Sequence, residues 1–424
     1  MIDIDSRQDL LDGHRNHLNR SLARVLSLLG AGTEVRSSGC HVESAEGDVY
    51  LNCGGYGVFL LGHCHPAVVA AVSAQLRDHP LATRSLLEPR VIAAARALTT
   101  VAPPGLDYVY FTNSGAEAVE LGLKVARANG RRRVIAMENG FHGKTAGALS
   151  VTGRPAYRSP FEPLLQGVDF VPYNDAAALE TALKSALSRG EQAALLVEPV
   201  QGEGGVRVPA AGFLRCAREL CDRHGAMLVA DEVQTGLGRL GAWWGCAAEG
   251  ITPDILLAGK ALGGGVLPVG AMLTSSRWYE PFNRDPLLHS STFAGNPLAA
   301  MAVTATLAVI EGEGLVERAR DLGERLLARI REIVEYRCPD AVVEVRGRGL
   351  LIGVEFAKAS TAADLMTELL RRKVLTSFPL NTHTVLRFTP PAVLTERDVD
   401  WLLGAFDEAA DTVGRRRVGL IRRS

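Results

Sequence analysis

The sequence predicts an α/β fold with a large domain, built on a mostly parallel sheet flanked by helices, and a smaller α+β domain. Short β-rich runs alternate with helical stretches over the first 300 residues, which is the rhythm of parallel α/β sheets. Several of these runs are continuously apolar, as in strands buried on both faces. Beyond about residue 300 long helices precede a strand-rich stretch, which predicts the smaller domain.

The predicted elements follow in chain order. Strands of the large domain are predicted at 108–111, 134–137, 193–197, 226–230 and 255–258, with helices that include 116–128 and 213–224. The later part has predicted helices at 299–311, 315–336, 361–372 and 395–413, and strand-rich stretches at 341–356 and 384–388. Because segment 30–49 has period-two features, we assign 1–55 and 306–424 to the smaller domain and 56–305 to the large one.

Composition excludes several classes of protein. The chain has 424 residues, of which 47% are hydrophobic, and a formal net charge of -1, so a nucleic acid is not an expected partner. No apolar run approaches the ~20 residues that a spanning helix requires, and residues 1–5 carry acids where a signal peptide is basic. We therefore expect a cytoplasmic protein that does not enter a membrane.

Cysteines and histidines do not predict a metal site. The seven cysteines include no CxxC pair, so they are expected to be reduced and mostly buried. His63, Cys64 and His65 are adjacent, but in an extended segment Cys64 would point away from both histidines. No metal is expected.

Two of the predicted strands are followed by groups that suit a phosphorylated ligand with a ring nitrogen. Ser114 and Gly115 lie between a strand and a helix, where free backbone N–H groups favour an anion; an ordinary helix cap is the equal alternative. Asp231 follows an apolar strand, where a carboxylate needs a partner such as a protonated pyridine nitrogen, a salt bridge or a helix cap.

Two further positions complete a candidate site. Lys260 follows the strand at 255–258 and precedes three glycines, so partial desolvation should lower its pKa and make it nucleophilic toward an aldehyde. Lys144, one of only six lysines, is interpreted as peripheral. Phe141, in a loop after a strand, can stack on a planar ring, although most aromatic residues are core. Pyridoxal phosphate has a phosphate, a ring nitrogen, an aldehyde and a ring face to match these groups.

At this point the sequence resembles the class III aminotransferases of fold type I, the aspartate aminotransferase fold, over about residues 36–400. The resemblance is carried by NSGAEA (113–118), FHG (141–143), EPVQGEGG (198–205), DEVQTGLGR (231–239), LAGKALGGG (257–265) and STFAGNP (291–297). Within the family the chain is most similar to enzymes that use putrescine or ornithine, through YLNCGGYGVFLLGHCHP (50–66) and LLEP (86–89).

The resemblance implies roles around the cofactor ring. Lys260 would form the Schiff base and move the proton, and Asp231 would keep the pyridine nitrogen protonated. Phe141 and Val233 would pack on the two ring faces, and Gln234 would hydrogen-bond the ring hydroxyl.

It also implies roles around the phosphate. Ser114, Gly115 and Ala116 would hold this group, although Ala116 stands where many relatives carry Thr or Ser. Thr292 would reach the phosphate of the neighbouring subunit. The functional unit would be a homodimer with active sites at the subunit interface, or a tetramer built from it.

The remaining implied residues support the cofactor or bind substrate. His142 and Glu198 would belong to the cofactor-side network. Glu203 and Arg387 resemble the family's gate, in which Arg387 binds the α-carboxylate of glutamate or 2-oxoglutarate and Glu203 neutralises it when the donor amine lacks a nearby carboxylate. Tyr56 would line the substrate pocket.

We therefore expect transfer of an ω-amino group from a diamine such as putrescine to 2-oxoglutarate, which gives an aldehyde and glutamate by a ping-pong mechanism. One alternative is an acetylornithine- or ornithine-type aminotransferase. Another is a same-fold aminomutase or racemase, which would need no keto acid.

Overall fold

A seven-stranded sheet forms the centre of the molecule in the computed structural model, which describes residues 6–30 and 32–421. Residues 1–5, whose acidic side chains argue against a signal peptide, lie outside the described residues. The described strands are β1 Glu34–Ser38, β2 His41–Ser44, β3 Val49–Asn52, β4 Tyr108–Thr112, β5 Arg133–Met137, β6 Val168–Val171, β7 Ala193–Val197, β8 Met227–Asp231, β9 Ile255–Ala258, β10 Gly270–Thr274, β11 Val342–Arg348, β12 Leu351–Phe356, β13 Val374–Leu375 and β14 Val385–Phe388.

The central sheet has the order β4-β10-β9-β8-β7-β5-β6. Only β10 is antiparallel to its neighbours, so the other six strands run in one direction. Strands β7, β8 and β9 are buried at every position, as their uninterrupted apolar sequences predict. The mostly parallel large sheet predicted from the sequence is confirmed.

Helices cover both faces of this sheet. The described α-helices are α1 Arg7–Gly13, α2 Arg20–Leu28, α3 Pro66–Asp78, α4 Pro89–Thr100, α5 Gly115–Ala128, α6 Ala146–Ser150, α7 Pro155–Arg158, α8 Ala176–Ser188, α9 Phe213–His224, α10 Gly245–Ala248, α11 Ser276–Arg284, α12 Pro297–Gly312, α13 Leu315–Arg337, α14 Ala359–Arg371 and α15 Glu396–Ile421. The local sequence determines where several helices begin. Ser114 caps α5, and Asn296 caps α12, whose first residue is a proline.

Two smaller sheets combine early and late parts of the chain. One has the order β1-β2-β3-β13, in which β13 pairs in parallel with β3 through Val374 and Leu51. The other is the antiparallel sheet β11-β12-β14. The pairing of β3 with β13 is consistent with a smaller domain made from both ends of the chain, whose boundaries stay a prediction.

Several details differ from the sequence-based expectations. Strands β6 and β10 and the helices before β1 were not predicted, and Asp231 is the last residue of β8 rather than the residue after it. In the part of the chain that the structure describes, no single helix is long and apolar enough to cross a membrane. Helices α12 and α13 pass that test only as a pair bent by 63°.

Candidate active site

The candidate site lies where the parallel strands end. Segments that follow β4, β5, β7, β8 and β9 all reach one edge of the sheet, as ligand-binding segments do in open α/β folds. They enclose a cavity of about 240 Å³. Its lining residues are Gly115, Ala116, Phe141, His142, Gly143, Glu198, Glu203, Asp231, Val233, Gln234 and Lys260.

Lys260 enters this cavity from the turn after β9. Its φ of 43° is in the left-handed region, a strained backbone conformation for a residue with a side chain, and such strain is often stored at functional positions. Burial lowers the pKa of the Lys260 amine, while the nearby carboxylates of Glu203 and Asp231 oppose the effect. A larger fraction of the amine is therefore neutral and nucleophilic than in a solvated lysine.

Asp231 and His142 form a buried pair beside the lysine. The Asp231 carboxylate lies 2.7 Å from His142 Nδ1, and its other oxygen accepts the Val233 N–H at 3.1 Å. Burial disfavours the imidazolium, but the hydrogen bond and charge of Asp231 outweigh burial and raise the pKa of His142. The contact with His142 fixes the position of the Asp231 carboxylate, which suits a group that would bind a protonated ring nitrogen.

Glu198 ties two loops of the site together. One carboxylate oxygen accepts the Phe141 N–H at 2.9 Å, and the other accepts the Gly202 N–H at 3.2 Å. Burial raises the pKa of Glu198 to about 7, in part against the charge of His142. Glu198 thus fixes the backbone that carries Phe141.

The amino end of α5 forms an anion cradle. Ser114 caps the helix by accepting the Glu117 N–H at 3.2 Å, and Gly115 and Ala116 open it with backbone N–H groups at the positive end of the helix dipole. A Cβ on Gly115 would lie 2.7 Å from Val233 Cγ1, so only glycine allows this close approach.

Gln234 lines the cavity from the segment that follows β8. Its Nε2 donates to the backbone carbonyl of Tyr56 at 3.3 Å, whereas its buried Oε1 has no partner. A Cβ on Gly202 would lie 1.6 Å from that oxygen, so Gly202 leaves the space that the amide occupies. The Gln234 amide retains hydrogen-bonding capacity for a polar group in the cavity.

Glu203, which lines the cavity, forms a buried ion pair with Arg387. Glu203 Oε1 accepts from Arg387 Nη1 at 2.6 Å, and the two side chains are 4% and 0% exposed. Glu203 Oε2 also accepts the backbone N–H of Leu380 at 2.7 Å. Arg387 Nε is buried without a partner.

Not every residue predicted for the site lines this cavity. Ser114 lies just outside it as the helix cap, and Arg387 reaches it through Glu203. Tyr56 contributes its backbone carbonyl, and its side chain is 57% exposed. Thr292 is exposed in a loop whose Ser291 and Ala294 carbonyls accept hydrogen bonds from Arg84. The roles predicted for these residues stay predictions.

Some contributing residues were not predicted from the sequence. Gly143 lines the cavity next to Phe141 and His142. Arg239 is buried beside Arg387 and donates to the carbonyls of Gly57, Leu350 and Pro390. Arg239 ends the motif at 231–239, but a side chain that binds only backbone carbonyls has no partner that a sequence could reveal.

The adjacent histidines also differ from expectation in one respect. Cys64 has a φ of 51°, so the segment is not extended as assumed. His63 instead bonds Asn52 at 2.8 Å, and His65 bonds Glu313 at 3.0 Å. Among the described residues no cluster of His, Cys, Asp and Glu could hold a metal ion.

The groups in the cavity fit pyridoxal phosphate. Lys260 supplies the amine, Asp231 a carboxylate for the ring nitrogen, and α5 an anion cradle. Gln234 Oε1 and His142 Nε2 are both buried without a partner, which is costly unless a bound group satisfies them. Fold and site together therefore define a pyridoxal-phosphate enzyme.

Comparison with known proteins gives the family. The family described as aminotransferase class III matches residues 32–410. The chain is similar to the ornithine aminotransferase from Toxoplasma gondii (TM-score 0.86, 30% identity, 98% of this chain and 100% of that one). It is also similar to the acetylornithine aminotransferase from Elizabethkingia anophelis (0.78, 33%, 92% and 98%). A thermostable (S)-enantioselective omega-transaminase from Thermomicrobium roseum resembles it too (0.87, 27%, 97% and 100%).

The chain belongs to the class III aminotransferase family, and it is a transaminase with pyridoxal 5'-phosphate as its cofactor. When bound, this cofactor supplies an electron sink for the carbon next to the transferred nitrogen. The protein supplies orientation, proton transfer and charge, and Lys260 is the amine among the residues that line the cavity.

Proposed function

We propose that the protein transfers the ω-amino group of a diamine such as putrescine to 2-oxoglutarate, with an aldehyde and glutamate as products. The observation that carries the proposal is the buried Glu203–Arg387 pair at the cavity end. A transaminase of this kind must accept a dicarboxylate in one half-reaction and an amine without a nearby carboxylate in the other. A charge pair that opens and closes meets both needs.

In the closed arrangement Glu203 neutralises Arg387, so a donor without a nearby carboxylate meets no uncompensated buried cation. In the open arrangement a substrate carboxylate replaces Glu203 on Arg387, and the unpartnered Arg387 Nε is a spare donor for a two-point contact. Lys260 holds and returns the proton of the substrate carbon in both half-reactions.

The functional unit of this proposal is a homodimer. Leu86 and Leu87, which are 80% and 93% exposed, lie near the Thr292 loop because Arg84 binds that loop. Exposed apolar groups of this size favour burial against another subunit. In such a dimer Thr292 would serve the phosphate of the neighbouring site.

An ornithine- or acetylornithine-type activity is the second candidate, favoured by the similarity to enzymes with those names. Its donor carries an α-carboxylate, which would need a cationic or donor-rich group at the cavity mouth. Lys144, whose Nζ lies 4.5 Å from the centre of the Tyr157 ring, is the cation next to the cavity residue Gly143.

The test is to incubate the purified protein with 2-oxoglutarate and putrescine, ornithine or acetylornithine, and to measure glutamate. Glutamate from putrescine supports the proposal, and glutamate from the ornithines alone selects the second candidate. Many turnovers per site without a keto acid would indicate an aminomutase or racemase, and no conversion of any donor would overturn all of these.

Lys260→Ala should remove the visible absorbance of the bound cofactor and lower turnover by at least roughly 10²–10⁴-fold, because the proton-transfer group is lost. Lys184→Ala is the matched control, since its exposed ammonium pairs only with Glu180 on the same helix. An active Lys260→Ala variant would contradict the assignment.

A further inference from the structure

The Glu203 carboxylate is held by two groups, and only one of them is Arg387. Its Oε2 accepts the Leu380 N–H at 2.7 Å, and its backbone carbonyl accepts the Asn381 N–H at 3.0 Å. If Glu203 swings away from Arg387, the Leu380 N–H loses its acceptor as well. Opening of the charge pair therefore changes the hydrogen bonding of a segment 177 residues away in sequence.

Other side chains hold this segment in the position that meets Glu203. Tyr157 Oη donates to the Leu380 carbonyl at 2.5 Å, and Arg154 donates to the Asn381 carbonyl. Asn381 Nδ2 donates to the Asn139 carbonyl at 2.7 Å. All of these bonds place the Leu380 N–H where the closed Glu203 needs it.

The same segment is joined to Arg387 itself. Ser377 and Arg387 exchange backbone hydrogen bonds, with Arg387 N donating to the Ser377 carbonyl at 2.9 Å and Ser377 N to the Arg387 carbonyl at 3.3 Å. Ser377, which pairs with Arg387, therefore lies only a few residues before Leu380, whose N–H donates to Glu203. Both members of the charge pair are bound to one short segment.

We propose that segment 377–381 is part of the gate, and that Tyr157 and Arg154 are positioning residues that set how easily Glu203 releases Arg387. This inference rests on the proposed opening of the Glu203–Arg387 pair. Weaker retention of Leu380 weakens its bond to Glu203, so the closed arrangement becomes less favourable. Dicarboxylate binding should then improve, and the half-reaction with an amine that lacks a carboxylate should become less efficient.

The direct test uses the cofactor-loaded wild-type protein and glutarate, which has the carboxylate spacing of 2-oxoglutarate but no keto group. Saturating glutarate should speed hydrogen exchange of the Leu380 amide, measured by mass spectrometry with single-residue fragmentation, because its acceptor has moved away. Glutarate binding without faster exchange at Leu380 would overturn the proposal.

Substitutions give a second, independent readout. Tyr157→Phe and Arg154→Met each remove one donor from the segment, and each should tighten the glutarate dissociation constant by roughly two- to tenfold, the range of a single hydrogen bond. The amine half-reaction should slow by a similar factor, so the ratio of the two half-reactions moves. An unchanged ratio in both variants would contradict the proposal.

Tyr173→Phe is the matched control. It removes a hydroxyl that donates to the carbonyls of Glu198 and Pro199, at 2.9 and 3.0 Å, on a different loop of the same cavity. It should leave the ratio of the half-reactions unchanged, and a shift as large as that of Tyr157→Phe would indicate general loosening instead of a gate.

A wild-type protein that carries out both half-reactions but fails the exchange test disproves the segment's role alone. One that binds no dicarboxylate disproves the proposed function itself.

Discussion

The burial of a single residue, Glu198, makes the stability of the folded protein depend on pH. Its pKa rises from 4.5 to about 7 because the carboxyl is buried. The folded protein therefore holds this proton more tightly than the unfolded chain does. The resulting stabilisation is fully present below pH ~4.5 and is lost as the pH rises toward 7. By pH ~7 the loss is about 3 kcal/mol.

Glu198→Gln should remove this dependence, because an amide does not ionise. Relative to wild type, the unfolding free energy of the variant should rise by about 3 kcal/mol between pH 5 and pH 8, measured by urea denaturation. Glu335→Gln, at an exposed position, controls for the loss of a carboxyl. A constant difference between the variants across this range would show that Glu198 is ionised throughout.

The Glu203–Arg387 pair makes a second prediction at this scale. Either Glu203→Met or Arg387→Met leaves an unpaired charge at a position no more than 4% exposed, and should lower the unfolding free energy by about 3–5 kcal/mol. The double variant should recover most of this loss, since neither charge remains. The same cycle on the exposed pair Arg284–Glu280 should stay within about 1 kcal/mol. Additive losses in the buried cycle would argue against a direct pair.

Individual site residues could be predicted where the type of side chain and its position after a strand together indicate its chemistry. Lys260, Asp231 and Phe141 each follow or end an apolar run, and all three meet in one cavity. The Leu380 contact was not predictable, because a backbone N–H is common to every residue and its partner lies far away in sequence. Such contacts depend on the tertiary fold alone.

At the scale of elements, the approach of α5 to the end of β8 shapes the phosphate end of the cavity. Gly115→Ala would place a Cβ 2.7 Å from Val233 Cγ1 and push the two elements apart. Crowding of this size should raise the dissociation constant of pyridoxal phosphate roughly tenfold or more. Titration of cofactor-free protein measures this change. Gly404→Ala, where a Cβ would meet nothing within 4 Å, should leave it unchanged.

Elements were predicted best where burial is uniform. The bounds of β7, β9 and α9 agree with those predicted, because a continuous apolar run or a strong helical period marks them. The direction of β10 was not predictable, since an apolar strand has the same sequence pattern whichever way it runs. Helix α2 was not predicted, although its sequence has an amphipathic helical period, and in this structure it buries only Ala23.

At the scale of the whole molecule, several large apolar side chains are exposed among the described residues. Leu18, Leu28, Leu87 and Leu287 are each at least 77% exposed. Single exposed apolar residues that are scattered over a surface are normal. Leu86 and Leu87, however, are exposed side by side in segment 84–88, and Arg84 binds this segment to segment 291–294. This surface is therefore the part of the molecule where a second subunit should bind.

A complementation experiment tests whether the site is shared between subunits. Thr292→Ala should weaken cofactor binding by roughly tenfold or more, through loss of a hydrogen bond to a charged phosphate. Co-expression of Thr292→Ala and Lys260→Ala chains should restore wild-type cofactor affinity and turnover at about a quarter of the sites. In each mixed dimer one site then has Lys260 from one chain and Thr292 from the other. If Thr292 served its own subunit, every site in the mixture would lack one of the two groups, and no site would recover.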